Sequence, residues 1–307
     1  MARPVVILGV FVADTAYRAA RQPRLGETVL GESFALGPGG KGSNQAVAAA
    51  RAGADVTMIT RLGRDTFADM ALATWAAAGV TPAVTHDPAS YTGAAYIFIE
   101  AATGNNAIIV APGAAGLISE SDIDAQAARI AGAGVFVTQL EQPLPAALRA
   151  LQIAREAGVT TILNPAPAAT LPPGMLALCD YVTPNESEAE ALTGLPVTTI
   201  AEAEEAARAL RAMGAGAAII TLGDKGALFH DGQVFVHVPA IDAGPVVETT
   251  GAGDAFNGGL AAALAEGMDP VAAVRFGCAT AGISVTRPGT APAMPSRAEI
   301  DAARART

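Results

Sequence analysis

The pattern that decides the fold is clearest in residues 134–164, GVFVTQLEQPLPAALRALQIAREAGVTTILN. Two short apolar runs, at 134–140 and 159–164, flank a segment whose apolar residues have helical spacing. Two more runs, YVTP at 181–184 and AAIITLG at 217–223, continue the alternation. Short apolar strands separated by helices are typical of βαβ units. The sequence therefore predicts an α/β fold in which helices cover both faces of a mainly parallel sheet.

The same alternation begins near the first residue and extends towards the end of the chain. The predicted elements are a strand at 5–12, a helix at 43–53, a strand at 56–60, a helix started by an aspartate at 65–79 and one half of a hairpin at 230–238. A single domain spanning residues 1–307 accommodates all of them.

Two regions depart from this alternation. The segments GETVLGESFAL (26–36) and 91–110 contain extended, partly alternating runs and no convincing helix. We expect them to form a small β appendage over one edge of the main sheet, where a lid would lie. The two inserted lid segments are predicted at approximately 13–38 and 91–110.

Composition excludes several classes of partner. Of the 307 residues, 51 % are hydrophobic and 16 % charged, and the formal net charge is −10. Nucleic acid or an anionic membrane would require a basic face, so neither is predicted as a partner. The longest apolar run near the start, 5–13, is too short to cross a bilayer. Cys179 and Cys278 lack companions at metal-ligand spacing and are predicted to be buried thiols of a cytoplasmic protein.

The stretch GPGGKGSNQ (37–45) surrounds one lysine with four glycines. Glycine destabilises regular structure, but it allows sharp turns and a close approach of the backbone to a ligand. The stretch is therefore predicted to be a loop pressed against a small polar molecule.

The strongest chemical signal is ETTGAGDAFNGGLAAALAEG (248–267). Small residues at 251–253 predict a tight turn, after which Asp254 opens a helix that ends at Gly267. Bare backbone N–H groups at a helix start attract anions without any basic side chain. Asp254 is either the N-cap of this helix or a carboxylate that accepts a hydroxyl proton beside the anion. The second interpretation suits phosphoryl transfer to an alcohol.

Two further turns leave alternatives open. NESE (185–188) is typical of a capping box, but the same asparagine and glutamate would also suit a divalent metal and its phosphates. TLGDKG (221–226) suits nucleotide contact or a simple connection. The common phosphate motifs are absent, because the lysine of GGKGS is followed by glycine and GAGDAF lacks the last glycine of a dinucleotide fingerprint.

Several motifs occur together in the order found in one family, and they resemble the ribokinase (pfkB) family of carbohydrate and nucleoside kinases. The likeness extends nearly from end to end, up to AGISVTRPGTAPAMPS at 281–296. The motifs are GGKGSNQAVAAARAGADV (39–56), NPAPA (164–168), TPNESEAEALTG (183–194), TLGDKGA (221–227) and TTGAGDAFNGGL (249–260).

The resemblance implies a ribokinase-like three-layer α/β/α sandwich with a β-strand lid that also forms a homodimer contact. It implies ATP-dependent phosphorylation of a pentose at its primary hydroxyl, most simply D-ribose to ribose 5-phosphate, with ATP and Mg²⁺ as the cofactors and K⁺ as a further ion. Asp254 is implied as the catalytic base. The anion hole for the γ-phosphoryl group is implied to consist of Gly251, Ala252 and Gly253.

Other roles follow from the same resemblance. Asn185 matches a nucleotide-binding position, and Glu188 matches one that organises Mg²⁺ through water. Nucleotide contacts are also implied for Thr221 and Gly223. The implied sugar-binding residues are Asp14, Gly40, Lys41, Asn44 and Glu141. The implied monovalent-cation residues are Glu248, Thr250, Ser284, Arg287 and Gly289.

Three positions depart from the family pattern. Val12 stands where an asparagine usually contacts the sugar, Glu248 where an aspartate serves the cation, and Ala293 where a serine is frequent. A hydrocarbon cannot replace a hydrogen bond to a hydroxyl, so Val12 leaves the identity of the sugar open. The alternatives are a kinase of another sugar or of a nucleoside, a non-catalytic sugar- or nucleotide-binding protein, and an NAD-dependent dehydrogenase.

Overall fold

The computed structural model of the chain describes residues 3–306, and all the bounds below refer to that part. The strands are β1 (Val5–Leu8), β2 (Val12–Ala19), β3 (Ser33–Gly39), β4 (Val56–Leu62), β5 (Thr81–His86), β6 (Thr92–Glu100), β7 (Asn106–Gly113), β8 (Val135–Thr138), β9 (Thr160–Leu163), β10 (Tyr181–Val182), β11 (Ala217–Thr221), β12 (Ala227–His230) and β13 (Phe235–Val238). The α-helices are α1 (Lys41–Arg51), α2 (Thr66–Ala78), α3 (Glu120–Asp124), α4 (Ala127–Ala131), α5 (Leu144–Glu156), α6 (Glu186–Thr193), α7 (Ile200–Ala212), α8 (Ala252–Ala265), α9 (Pro270–Ser284) and α10 (Arg297–Arg304). Short 3₁₀ turns occupy Ala114–Leu117, Leu176–Leu178, Gly223–Lys225 and Ala291–Ala293.

The main sheet confirms the predicted α/β fold. Its order is β13-β12-β11-β10-β9-β8-β1-β4-β5. The pairs from β11 through β5 are parallel, and the hairpin of β12 and β13 adds two antiparallel strands at one edge. Since β1 pairs with both β4 and β8, the chain leaves β1 in one direction and later returns on its other side. A crevice at the carboxyl ends of the strands is expected at such a point.

The two faces of the sheet carry separate hydrophobic cores. Along β1, Val5 and Ile7 belong to one core, while Val6 and Leu8 belong to the other, as the two-residue period of a strand requires. The first core includes residues of α1, α2, α8, α9 and α10, and the second includes residues of α3 to α7. The fold is therefore a three-layer α/β/α sandwich.

A second sheet, which we call the small sheet, contains β3, β2, β6 and β7 in that order. Strands β2 and β3 lie between β1 and α1 in the chain, and β6 and β7 lie between β5 and the helices that precede β8. Strand β2 pairs with β3 in antiparallel and with β6 in parallel orientation. These strands occupy half of the first segment predicted to form the lid, 13–38, and most of the second, 91–110.

Some predicted boundaries were wrong. The run 5–12 is not one strand, because β1 ends at Leu8 and Val12 starts β2 in the small sheet. In the segment 26–36 only the part from Ser33 onward is a strand. The residues 37–45, predicted to be a loop, instead end β3 at Gly39 and start α1 at Lys41, with Gly40 as the N-cap between them. By contrast, α2 begins after Asp65 and ends at a left-handed glycine, as predicted.

None of the helices within residues 3–306 is both long enough and apolar enough to span a membrane.

Candidate active site

Most of the predicted sugar, nucleotide and catalytic residues lie where the parallel strands end or where two helices begin. Glu141 follows β8, Asn185 follows β10, and Thr221 is the last residue of β11. Lys41 is the first residue of α1, and Asp254 lies in the first turn of α8. This is the edge of an open α/β sheet at which ligands bind.

Asp254 is not the N-cap of its helix, so that interpretation was wrong. Helix α8 begins at Ala252, and the N-cap position is Gly251, which has a φ of 81°. The Asp254 side chain points inward and is 6 % exposed. Its two oxygens accept hydrogen bonds from Asn44 Nδ2 and Gln45 Nε2, both at 3.0 Å. Burial raises the pKa of Asp254, and the nearby ammonium of Lys41 and the two amides oppose that rise.

The turn before α8 leaves space beside Asp254. A Cβ built at Gly253 meets no atom within 4 Å apart from its chain neighbours and the backbone of its own helix, whereas one at Gly251 comes within 3.3 Å of the Thr290 side chain. The Ala252 N–H donates to Thr249 O at 3.1 Å. Since the first N–H groups of a helix lack intrahelical acceptors, the open side of Gly253 is suited to a small anion.

Lys41 and Glu141 meet at the start of α1. The Lys41 N–H donates to Glu141 Oε2 at 2.8 Å, and burial raises the pKa of Glu141 to about 7, helped by Asp254 and Asp14 and opposed by Lys41. Burial alone would lower the pKa of Lys41. It is instead raised, because the carboxylates of Asp254, Glu141 and Glu188 supply the opposing field.

Asp14 lies on β2 of the small sheet and interacts electrostatically with residues of the site. Burial raises its pKa to about 6, and the carboxylates of Asp254 and Glu248 add to the rise. A Cβ at Gly39 would lie 2.2 Å from the Asp14 carboxylate, and one at Gly40, whose φ is 89°, would lie 2.6 Å from Val10 O. These glycines therefore make room for groups of the protein itself, in addition to any approach of a ligand.

Val12 lies on the same face of β2 as Asp14, since the two residues are separated by one position. Its side chain is 5 % exposed and pairs in register with Gly39 of β3. A Cβ built at Gly93 would come within 2.9 Å of Val12 Cγ1. The departure from the family pattern thus places a packed hydrocarbon on the same strand face as the half-buried carboxylate of Asp14.

The NESE segment forms the predicted capping box. Asn185 Oδ1 accepts from Glu188 N at 2.8 Å, and Glu188 Oε2 accepts from Asn185 N at 2.9 Å. Burial raises the pKa of Glu188. Asn185 also forms a parallel bridge with Thr221, so the predicted metal and nucleotide positions are adjacent, and Gly223 follows with a φ of 55°. Within residues 3–306 no group of three or more His, Cys, Asp or Glu side chains is arranged to hold a metal.

The predicted monovalent-cation residues come together from two segments of the chain. Glu248 Oε2 accepts from the Gly289 N–H at 2.7 Å, and the Glu248 N–H donates to Val285 O at 3.2 Å. The Arg287 N–H donates to Ser284 O at 3.2 Å. Thr250 lies between Glu248 and the turn before α8. Here the longer glutamate side chain holds the backbone of the second segment.

Sequence reasoning missed a buried chain of amides behind Asp254. It contains the amides of Gln139, Gln45, Asn164 and Asn257, with Thr183 linking the last two, and all five residues are buried. At its far end Thr183 Oγ1 donates to Asn257 Oδ1 at 2.7 Å, and Asn257 Nδ2 donates to Gly253 O at 2.9 Å. Gln45 and Asn164 both lie inside quoted motifs, but only the fold shows that they meet.

Comparisons with known proteins identify the family of the chain. The family described as "pfkB family carbohydrate kinase" matches residues 4–297. The chain belongs to that family, and it is therefore a phosphotransferase that acts on an alcohol group. This contradicts the dehydrogenase alternative.

Named relatives and solved structures narrow the class. The chain is 38 % identical to a ribokinase of Haemophilus influenzae, with 97 % of each chain covered. It is 37 % identical to a deoxyribokinase of Salmonella typhi, with 95 % of each covered. A structure of Arabidopsis thaliana ribokinase, complexed with ribose and ATP, has a TM-score of 0.92 at 30 % identity and 99 % coverage of both chains.

Proposed function

We propose that this chain is an ATP-dependent pentose kinase that converts D-ribose to ribose 5-phosphate. The observation that carries the proposal is the buried Asp254 carboxylate beside the open turn at Gly253, at the carboxyl edge of the sheet. Similarity to ribokinases over nearly the whole chain supports it. A non-catalytic binding protein has no need of such a base next to an anion site.

In this proposal Asp254 accepts the proton of the primary hydroxyl of the sugar. The alkoxide oxygen attacks the γ-phosphorus of ATP, the bond to the β–γ bridging oxygen breaks, and ADP leaves. The backbone N–H groups of Gly251 and Gly253 stabilise the charge on the transferring group, and the Ala252 N–H joins them when it gives up its bond to Thr249 O. Because its pKa is raised, Asp254 is a stronger base than an exposed aspartate would be.

The sugar is held between α1 and the small sheet. Lys41 and Asn44 supply donors, and Asp14 and Glu141 supply acceptors for its hydroxyls. Strands β2, β3, β6 and β7 act as a lid over the sugar, and their closure excludes water, so that the phosphoryl group meets the alcohol. The lid belongs to a single domain of residues 1–307, of which residues 1, 2 and 307 lie outside the described part.

The phosphates of ATP lie against the starts of α6 and α8, and the nucleotide contacts Thr221 and Gly223. The carboxylate of Glu188, with Asn185 beside it, fits a Mg²⁺ ion that keeps most of its water ligands, because Mg²⁺ prefers oxygen ligands and few direct protein contacts. When bound, Mg²⁺ neutralises charge on the phosphates. Asn185 keeps the Glu188 carboxylate oriented through the capping box.

A monovalent cation, K⁺, is proposed to bind near the turn before α8. Its ligands are backbone carbonyls of Thr250, Ser284, Arg287 and Gly289 together with the carboxylate of Glu248. The ion would act by fixing the backbone that leads into the anion hole. The contact between Glu248 and Gly289 supports this proposal, because it already joins the two segments.

We also propose a cytoplasmic homodimer that forms through the small sheet. The rings of Phe34 and Tyr96 lie 5.0 and 5.6 Å from that of Tyr17 on one face of this sheet. Tyr17, Phe34, Leu36 and Ile109 are all exposed. An apolar surface of this kind is suited to a second copy of the chain. The free, buried thiols of Cys179 and Cys278 support a reducing compartment.

A second candidate substrate is 2-deoxy-D-ribose. Val12 favours it, since a hydrocarbon next to Asp14 offers no hydrogen bond to a hydroxyl and loses nothing when that hydroxyl is absent. The similarity to a deoxyribokinase supports the same candidate.

The substrate proposal is tested by measuring ADP release with ribose, 2-deoxyribose, other pentoses, hexoses and nucleosides at equal concentration. Phosphorus NMR of the product identifies the phosphorylated oxygen. The expected result is the highest kcat/KM with ribose, or with deoxyribose if Val12 decides, and a phosphate on the primary hydroxyl. No phosphorylated pentose, or transfer to a secondary hydroxyl, would overturn it.

A further inference from the structure

Gln45 is a fully buried residue of α1 that contacts the proposed base directly. Its Nε2 donates to Asp254 Oδ1 at 3.0 Å and to Asn164 Oδ1 at 3.1 Å. Its Oε1 accepts from Gln139 Nε2 at 2.6 Å. All the polar atoms of the Gln45 side chain are thus engaged inside the protein, and one of the contacts is to a reacting group.

A backbone carbonyl at one end of the hydrogen-bonded series of amides sets the orientation of the Gln45 amide. Asn164 Nδ2 donates to Thr183 O at 3.0 Å, and a backbone carbonyl can only accept. Asn164 must therefore turn its oxygen towards Gln45, which in turn must present its N–H groups to Asn164 and Asp254. If the nitrogen and oxygen of the Gln45 amide were exchanged, its oxygen would face the acceptor oxygens of Asp254 and Asn164. Its nitrogen would then face the donor Gln139 Nε2.

We infer that Gln45 is a positioning residue for the phosphoryl transfer: it holds Oδ1 of Asp254 in place and keeps that carboxylate ionised without adding a charge. The inference rests on the proposed function, in which Asp254 is the base. With Oδ1 occupied by Gln45 and Oδ2 bonded to Asn44, the carboxylate has one orientation. Asn44 is an implied sugar ligand, so Gln45 is the one of these two partners of Asp254 to which no sugar contact is assigned.

A neutral donor is needed here because charged groups surround Asp254. Lys41 on α1 is the cation that faces it, while Asp14, Glu141 and Glu188 are acids that interact with it from β2, from the segment after β8 and from α6. Burial favours protonation of Asp254, and a protonated base cannot accept the sugar proton. Hydrogen bonds from amides favour the ionised form.

The test compares Gln45→Met, which removes the donor, with Gln45→Glu, which replaces it by an acid of the same shape. A hydrogen bond to a charged group supports roughly a 10- to 100-fold effect on the equilibrium between the ionised and protonated forms. We expect the acid limb of the kcat–pH profile to move upward in Gln45→Met and further upward in Gln45→Glu, since two adjacent carboxyls share a proton. KM for ATP should change less than kcat.

Gln142→Met is the matched control. Gln142 is also a buried glutamine, and its Nε2 donates to Thr138 Oγ1 at 2.7 Å and to the backbone oxygen of Gln139 at 2.5 Å, but it bonds neither Asp254 nor the Gln139 side chain. The control should lose thermal stability and keep the wild-type acid limb. If both Gln45 variants also keep that limb while losing stability, Gln45 is a structural residue and the inference is overturned.

Failure of the proposed function gives a different result, since the wild-type protein would then phosphorylate no sugar. In that case a ¹³C NMR titration of the Asp254 carboxyl decides the inference. The pKa of this carboxyl should rise in both Gln45 variants, and an unchanged pKa would overturn the inference. If neither Gln45 variant folds, Gln139→Met releases the other end of the amide. It should move the acid limb upward by a smaller amount, and an unmoved limb contradicts the inference.

Discussion

Replacing Val12 with asparagine places an amide on the strand face that carries Asp14, next to the proposed sugar. Val12 is 5 % exposed, so the new amide is buried and lacks water. One hydrogen bond to a sugar hydroxyl contributes about 0.5–1.5 kcal/mol net, which corresponds to roughly a 2- to 12-fold gain in kcat/KM. Without sugar the amide has no such partner and costs about 1–3 kcal/mol of folding free energy.

The assay is the ratio of kcat/KM for ribose to that for 2-deoxyribose, with the melting temperature measured in the absence of sugar. We expect Val12→Asn to raise the ratio and to lower the melting temperature by a few degrees. Val12→Ala is the control, since it enlarges the space without adding a donor and should leave the ratio nearly constant. A folded Val12→Asn protein with the wild-type ratio would refute the placement of residue 12 beside a sugar hydroxyl.

Three other predictions test separate parts of the site. Gly253→Ala should keep the wild-type melting temperature, because a Cβ there meets no atom within 4 Å beyond its own helix and neighbours. It should lower kcat/KM for ATP on the order of tenfold, because the methyl fills the proposed phosphate space. Unchanged ATP kinetics would contradict the anion hole. Glu248→Asp should increase the ratio of rates in potassium and in tetramethylammonium, and equal rates in both salts for both proteins would remove the cation proposal. The pKa of Glu141 is about 7 in the fold against 4.5 in the unfolded chain, so the ligand-free protein loses stability as the pH rises through that window. In urea unfolding, Glu141→Gln should reduce this pH-dependent loss of unfolding free energy by on the order of 3 kcal/mol. If the unfolding free energies of variant and wild type change with pH in parallel, the carboxyl is not buried as described.

Periodicity and turn chemistry were sufficient to predict the layered fold. The strand–helix alternation after residue 134 predicted β8, β9, β10 and β11, and the aspartate at 65 with the glycine at 79 bounded α2. Such features depend on neighbours in the sequence. The end of β1 and the start of β2 could not be predicted from the sequence, because the apolar run 5–12 is continuous although the chain passes from one sheet to the other within it.

The site could be predicted only where a motif marks it. The turn before α8 and the capping box at Asn185 were visible in the sequence, although the position of Asp254 within the first turn was not. The amide chain was not visible, because Gln45 meets Gln139 across 94 residues and Asp254 across 209. The sequence does not distinguish a buried glutamine from an exposed one, because burial depends on tertiary packing.

The central claim is that the Asp254 carboxylate primes the sugar alcohol. The most direct measurement is the single-turnover rate of phosphoryl transfer from ATP to ribose, or to the preferred pentose, by Asp254→Asn. Asp269→Asn, which changes the N-cap carboxylate of α9, is the matched control and should transfer phosphate at close to the wild-type rate. We predict a fall of about 10²- to 10⁴-fold for Asp254→Asn with nearly unchanged binding of ATP. A rate within threefold of the wild type would contradict the account.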